Sequence, residues 1–391
     1  MLDVLANVPP PGRDKRGRAW FTLGGEVIDQ FVTAAVETRP ARRKASTLEW
    51  AALAIVLAFA PARPTMAGPM EDAAAAYSRG DYPTALLILR PLAEKGEPLA
   101  QNNLGAMYAL GQGVPKNDAD ATRWYRLAAD QGFAKAQNNL GVAYSAGRGV
   151  PKDAAEAVKW LRLAADQGLA DAEDNLGVIY ANGQGLPRNY LEAMKWYRKA
   201  ADQGFAEAQY HLGILHSAGL GVPQDTAEGF KWLLLAAHQN NSDGDFAVGA
   251  LYFGGLATGT PDEREAAKWL RRSAEQGNPD AQDLLGFLYV NGRGVPQDDT
   301  EAVKWFGLAA AQGKAHAQFF LGDAYSNGQG VPKDYVHSYM WSSLAASQGD
   351  QAAAVVRDDV AKRMTAEQIA QAQELAHQWH ATGANQAPPA R

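Results

Sequence analysis

Among side chains able to exchange protons or hold a metal near neutral pH, histidine comes first, and the chain has seven. His211 and His216 lie five residues apart, whereas a zinc-binding pair on one helix face uses an i, i+4 spacing. His377 and His380 can share a helix face, but two ligands without a nearby carboxylate make a thin metal site. Cysteine is absent, which removes disulfides, thiol nucleophiles and thiolate metal sites. These residues call for no metal and no cofactor, and no local nucleophile and base stand together, so the chain reads as a protein that is not an enzyme.

Carboxylates are more numerous, and they recur in one relation. Asp153 with Glu156, Asn189 with Glu192, Asp225 with Glu228, Asp262 with Glu265 and Asp298 with Glu301 each set a cap residue three positions before an acid. Asn117 with Asp120 is a shorter-armed version. This is the spacing of a capping box, in which the cap oxygen accepts from one terminal N–H of a helix and the acid returns to another. A catalytic acid needs a special pair geometry, whereas an acid repeated from unit to unit is explained by helix starts. The stretch Gly147-x-Gly149-x-Pro151 resembles a nucleotide loop only superficially, because it follows a helical pattern instead of a strand. It reads as a helix stop: glycine can enter the left-handed region at a helix end, and proline cannot continue the ladder.

The elements that place these residues are repeats. Trp124, Trp160, Trp196, Trp232, Trp269, Trp305 and Trp341 are separated by 36, 36, 36, 37, 36 and 36 residues. Gly105, Gly141, Gly177, Gly213, Gly249, Gly286 and Gly322 keep the same beat, as do Tyr108, Tyr144, Tyr180, His216, Tyr252, Tyr289 and Tyr325. In the unit beginning at Ala134, Leu140 and Tyr144 lie four apart on one helix face, and Ala157, Trp160 and Ala164 mark the apolar stripe of a second helix. Two short helices cannot bury their apolar faces alone, but stacked pairs make a continuous core. The expected fold is therefore all-α, a right-handed superhelical solenoid of antiparallel helix pairs, with the tryptophan and glycine columns in structural roles. Asn240 replaces the closing glycine of one unit, and asparagine visits the left-handed region readily. The loop from Gly254 to Pro261 carries the one extra residue.

The unit length, the Leu140-Gly141 pair, Tyr144, Gly147-x-Gly149-x-Pro151, Ala157-x-x-Trp160 and Ala164-Ala165-x-Gln167-Gly168 resemble the Sel-1-like repeat family, relatives of the tetratricopeptide repeats. The resemblance covers about residues 98–350. It implies a helical solenoid that acts as an adaptor in protein complexes, in bacteria often exported. A disulfide-rich branch of that family is linked with β-lactam binding or hydrolysis, and this chain lacks its cysteines. A cell-wall or β-lactam hydrolase is thus the remotest of the readings.

Recognition is expected where the units vary. The pair before Leu-Gly is Asn102-Asn103, Asn138-Asn139, Asp174-Asn175 and Tyr210-His211 in the first four units, then Phe246-Ala247, Asp283-Leu284 and Phe319-Phe320. If first helices line a concave side, an amide-rich half can hydrogen-bond an extended chain or glycan, and an aromatic half can anchor a partner. Packing between repeats is the competing account of the same residues. The partner expected is a protein or peptide, with a glycan or cell-wall fragment as the alternative.

Charge argues against nucleic acid. Residues 1–45 hold eight Lys or Arg against five Asp or Glu, so with an overall charge of −6 the rest stands at −9, a poor match for phosphates. Residues 46–67 read as an export signal: Arg42-Arg43-Lys44 precedes the apolar run from Trp50 to Ala60, and small residues before Gly68 suit cleavage. That run is shorter than the roughly 20 residues of a membrane span, so no stable span is expected after processing. The expected location is periplasmic or secreted in a bacterium, or cytoplasmic if the run is not a signal. Residues 1–45 then form a basic extension or precede the true start. Residues 68–97 form a divergent helical pair, 351–381 are capping helices, and 382–391 are a mobile tail.

Overall fold

A computed structural model describes residues 68–382. The expectations for the extension, the export segment and the tail beyond Thr382 lie outside the described residues. Eighteen helices succeed one another, with no strand among the described residues, and consecutive helices pack as pairs. The all-α class and the helix-pair solenoid expected from the sequence are observed. The described residues divide into two compact units, 68–225 and 226–382.

The first unit contains α1 (Pro69–Ser78), α2 (Tyr82–Glu94), α3 (Pro98–Leu110), α4 (Asp118–Asp130), α5 (Ala134–Ala146), α6 (Ala154–Ala165), α7 (Ala170–Asn182), α8 (Tyr190–Asp202) and α9 (Ala206–Ala218). The second contains α10 (Thr226–His238), α11 (Ser242–Phe253), α12 (Glu263–Glu275), α13 (Pro279–Asn291), α14 (Asp299–Ala311), α15 (Ala315–Asn327), α16 (Tyr335–Ser347), α17 (Gln351–Ala361) and α18 (Ala366–Thr382).

Each pair closes on its glycine column. A Cβ at Gly141 of α5 would stand 2.6 Å from Leu161 Cγ and 3.0 Å from the Ala157 carbonyl of α6. Any side chain there forces the two helices apart, which is why the column is invariant along the chain. The tryptophans work between pairs. Trp160 packs with Ala109, Ala121, Tyr125 and Leu140, and Trp196 with Ala157, Leu161 and Leu176. Both are nearly buried, whereas Trp124, Trp232 and Trp269 are half-exposed. Asn240 takes φ 60°, in the left-handed region that its glycine counterparts occupy at larger φ, from 80° at Gly168 to 96° at Gly349.

Half of the capping-box expectation fails. The cap oxygens behave as expected: Asp153 accepts from Ala155 N–H and Glu156 N–H, and Asp298 from Thr300 N–H and Glu301 N–H. The acids do not turn back to the cap N–H. That N–H already donates to the carbonyl of the tyrosine column, Asp153 to Tyr144 at 3.0 Å and Asn189 to Tyr180 at 2.8 Å. Glu156 is therefore released, and it accepts from Trp160 Nε1 at 2.8 Å and Lys159 Nζ at 2.9 Å. The reciprocal box forms at Thr365 and Gln368, where Thr365 N–H donates to Gln368 Oε1 at 2.9 Å. There α18 begins; it packs on α16, with Trp379 edge-on to Trp341 at 5.1 Å.

Candidate functional site

The residue pairs before Leu-Gly form a ladder in the first unit. Asn139 Nδ2 donates to Asn102 Oδ1 at 3.0 Å, Asn175 Nδ2 to Asn138 Oδ1 at 2.9 Å, and His211 Nδ1 meets Asp174 Oδ1 at 2.7 Å. Every rung joins the second member of one pair to the first member of the pair before. Asn102, Asn103, Asp174, Tyr210 and His211 are buried, and Asn138, Asn139 and Asn175 are half-buried. His211 also lies 4.8 Å from the Tyr197 ring and 5.4 Å from Tyr210. These amides are engaged by neighbouring repeats.

In the second unit the aromatic members turn inward too. Phe319 is 3% exposed and packs with Ala345, Ala353, Val356 and Val360, and Phe246 is buried. Phe320 is half-buried and stacks on Phe306 at 4.7 Å with the planes 4° apart. Asp283 holds His316 Nδ1 at 2.9 Å. Burial of His316 opposes its charge most strongly, but the charge and hydrogen bond of Asp283 together with the charge of Asp350 outweigh it and raise the pKa. His377 is exposed on α18, and among the described residues no three His, Asp or Glu side chains come together as a metal site.

A second ladder was not read from the sequence. Each first helix carries a buried polar residue at one position: Gln101, Gln137, Glu173 and Gln209 in the first unit, Asp245, Gln282 and Gln318 in the second. The glutamines donate to a carbonyl eight residues back in the preceding helix, as Gln137 Nε2 does to Ala129 O at 3.2 Å and Gln282 to Ala274 O at 3.1 Å. Their Oε1 accepts from a glutamine at the end of the following helix, Gln167 to Gln137 at 2.7 Å and Gln312 to Gln282 at 2.9 Å. Gln167 and Gln312 reach one repeat further back, to Gly132 O and Gly277 O. Two glutamine columns at the common period were the available signal; that they meet is decided by packing.

Two acids interrupt this ladder. Asp245, wholly buried, cannot donate to Ala237 O, and Arg272 donates to that carbonyl and to the carboxylate, Nε to Oδ2 at 2.8 Å. Burial raises the Asp245 pKa against the pull of Arg272 and Gln276. Glu173, 4% exposed, accepts from Gln203 at 2.7 Å, and burial likewise raises its pKa.

The irregular loop of the second unit adds a shallow polar depression lined by Thr258, Thr260, Asp262, Glu263, Arg264 and Gly294. No helix of the described residues is long and apolar enough to cross a membrane.

The Sel1 repeat model matches seven consecutive segments, 98–133, 134–169, 170–205, 206–241, 242–278, 279–314 and 315–350. Comparison with curated proteins gives no match. Among solved structures, the chain is similar to c5321, a protective antigen present in uropathogenic Escherichia coli strains displaying an SLR fold. That likeness has 30% identity and a TM-score of 0.66 over 92% of this chain and 79% of the other. A Sel1 repeat protein from Oxalobacter formigenes is similar at 34% identity and TM-score 0.56, over 61% of this chain and 94% of that one.

Proposed function

The chain belongs to the Sel1 repeat family, whose members generally serve as protein-binding scaffolds, and from that premise we propose that it is a non-catalytic adaptor of the bacterial envelope. The observation that carries this reading is the pair of ladders. They take up the amides and acids of the first helices between repeats, and so hold successive helix pairs in a fixed register within each unit. A register-locked stack offers a partner the same kinds of side chain at regular intervals, which suits binding an extended segment over several repeats. The export pattern at residues 42–67 supports the location, and the description of the similar E. coli protein as a protective antigen is consistent with it.

The test is capture from envelope extract by the purified protein, with bound proteins and glycans identified by mass spectrometry. A saturable protein partner is the expected result. Enrichment of cell-wall fragments with no protein would replace the adaptor by a glycan binder, and cleavage of those fragments would replace it by an enzyme. Residues 1–67 fused to a reporter active only outside the cytoplasm should give signal; a silent, stably made fusion refutes the location.

A further inference from the structure

One rung between repeats in the second unit is built from groups that change charge near neutral pH. In the first unit each rung runs from the second member of a pair to the first member of the pair before, as from Asn139 to Asn102 and from Asn175 to Asn138. Between the sixth and seventh repeats the same rung would run from residue 320 to residue 283. Phe320 has no donor to offer. His316, one helical turn earlier on α15, takes its place, with Nδ1 2.9 Å from both Oδ1 and Oδ2 of Asp283 on α13. An amide rung is neutral at every ordinary pH, whereas an imidazole on a carboxylate is not.

Packing holds the ring in this position. Phe320 stands edge-on to it with centroids 4.7 Å apart, and Phe306 of α14 stands edge-on at 6.4 Å. Nε2 is shielded from solvent and has no hydrogen-bond partner among the described residues. It is unsatisfied whether the ring is neutral or charged, so the surrounding charges choose between the two states. Asp283 touches the ring, and Asp350 adds its charge from the start of α17, which it caps by accepting from Ala353 N–H at 2.9 Å. Against protonation stand burial, the positive end of the α15 dipole, and Lys314, itself paired with Asp280 of α13. Burial is the largest single influence, yet the two carboxylates together exceed it and raise the His316 pKa.

We propose that Asp283, His316 and Asp350 form a pH-sensitive clasp that ties the sixth repeat, the seventh repeat and the C-terminal cap together when the imidazole is charged and slackens when it loses its proton. The three residues lie on α13, on α15 and at the N-cap of α17, and α15 packs against α17 as well as against α16. Linkage sets the direction. A histidine whose folded pKa lies above its unfolded value of about 6.5 contributes stability that is full below that value and is lost as pH rises through the folded pKa. The end of the array is therefore held most tightly in mild acid. The clasp does not depend on the adaptor reading.

The full chain is titrated by NMR, following the imidazole resonances of its seven histidines and assigning His316 by the signal lost in His316→Gln. Its pKa is expected above about 6.5. Asp283→Asn should lower it by about one unit or more, and Asp350→Asn, which keeps a good helix cap, should lower it by less. Amide exchange of α17, expressed as protection relative to the intrinsic rate, is followed from about pH 5.5 to about pH 9. In wild type it should fall by up to about tenfold for each unit by which the pKa is raised, and in His316→Gln it should stay level. If His316→Gln lowers helical content, Asp350→Asn supplies the comparison and should show a smaller fall than wild type. A His316 pKa at or below about 6.5, a pKa unmoved by Asp283→Asn, or a fall in protection as large in the variant as in wild type each overturns the proposal.

Discussion

Replacing Glu173 by Gln should stabilise this protein at neutral pH. Gln137 and Gln209, at the equivalent positions, donate to Ala129 O and Ala201 O at 3.2 and 3.3 Å. The matching carbonyl for residue 173 is that of Ala165, and an ionised Glu173 has no proton to give it. Glutamine restores that bond, worth about 0.5–1.5 kcal/mol net, and removes a buried charge. The bond from Gln203, 2.7 Å to the present carboxylate, persists to the amide oxygen but loses its charge assistance, which offsets part of the gain. The balance is about 1 kcal/mol at pH 7, or about 2–4 °C in Tm for a unit of this size.

The pH dependence carries the sign. Burial raises the Glu173 pKa above the unfolded value. The ionised carboxyl therefore costs stability above both pKa values, and that cost vanishes below them. Denaturant or thermal unfolding followed by circular dichroism from pH 7 downwards should show the advantage of Glu173→Gln shrinking as pH falls through the folded pKa, since protonated Glu173 can itself donate. A variant less stable than wild type at pH 7, or a gain independent of pH, refutes the reasoning.

Arg272→Leu leaves the buried Asp245 carboxylate without its cation, a loss of about 3–5 kcal/mol; adding Asp245→Gln should recover most of it in chemical denaturation, and a double variant as unstable as the single one would sink the compensation argument. Phe319→Ala should cost about 3–5 kcal/mol, because its ring lies among Ala353, Val356 and Val360. If instead its denaturation midpoint is unchanged while partner capture falls, Phe319 belongs to a binding surface.

Much of the architecture is written in one dimension. The tryptophan, glycine and tyrosine columns set the period; Gly147 and Pro151 mark a helix end, and Asp153 and Asp298 mark helix starts, because propensity and capping act over a few neighbouring residues. Asn240 at φ 60° is local in the same sense. The release of Glu156 was not legible, because the cap N–H of Asp153 is taken by the Tyr144 carbonyl nine residues earlier. Nor was the direction of the asparagine pairs. Asn102 and Asn139 offer the same amides to a groove or to each other, and only the stacking of α3 on its successors brings them to 3.0 Å. The same holds for Gln167 on Gln137 and for Arg272 in place of a missing glutamine donor. Periodicity determines which residues share a column, since that needs only a constant repeat length. Which columns touch depends on how one helix pair is rotated and translated onto the next, a quantity fixed by close packing at the glycines and tryptophans.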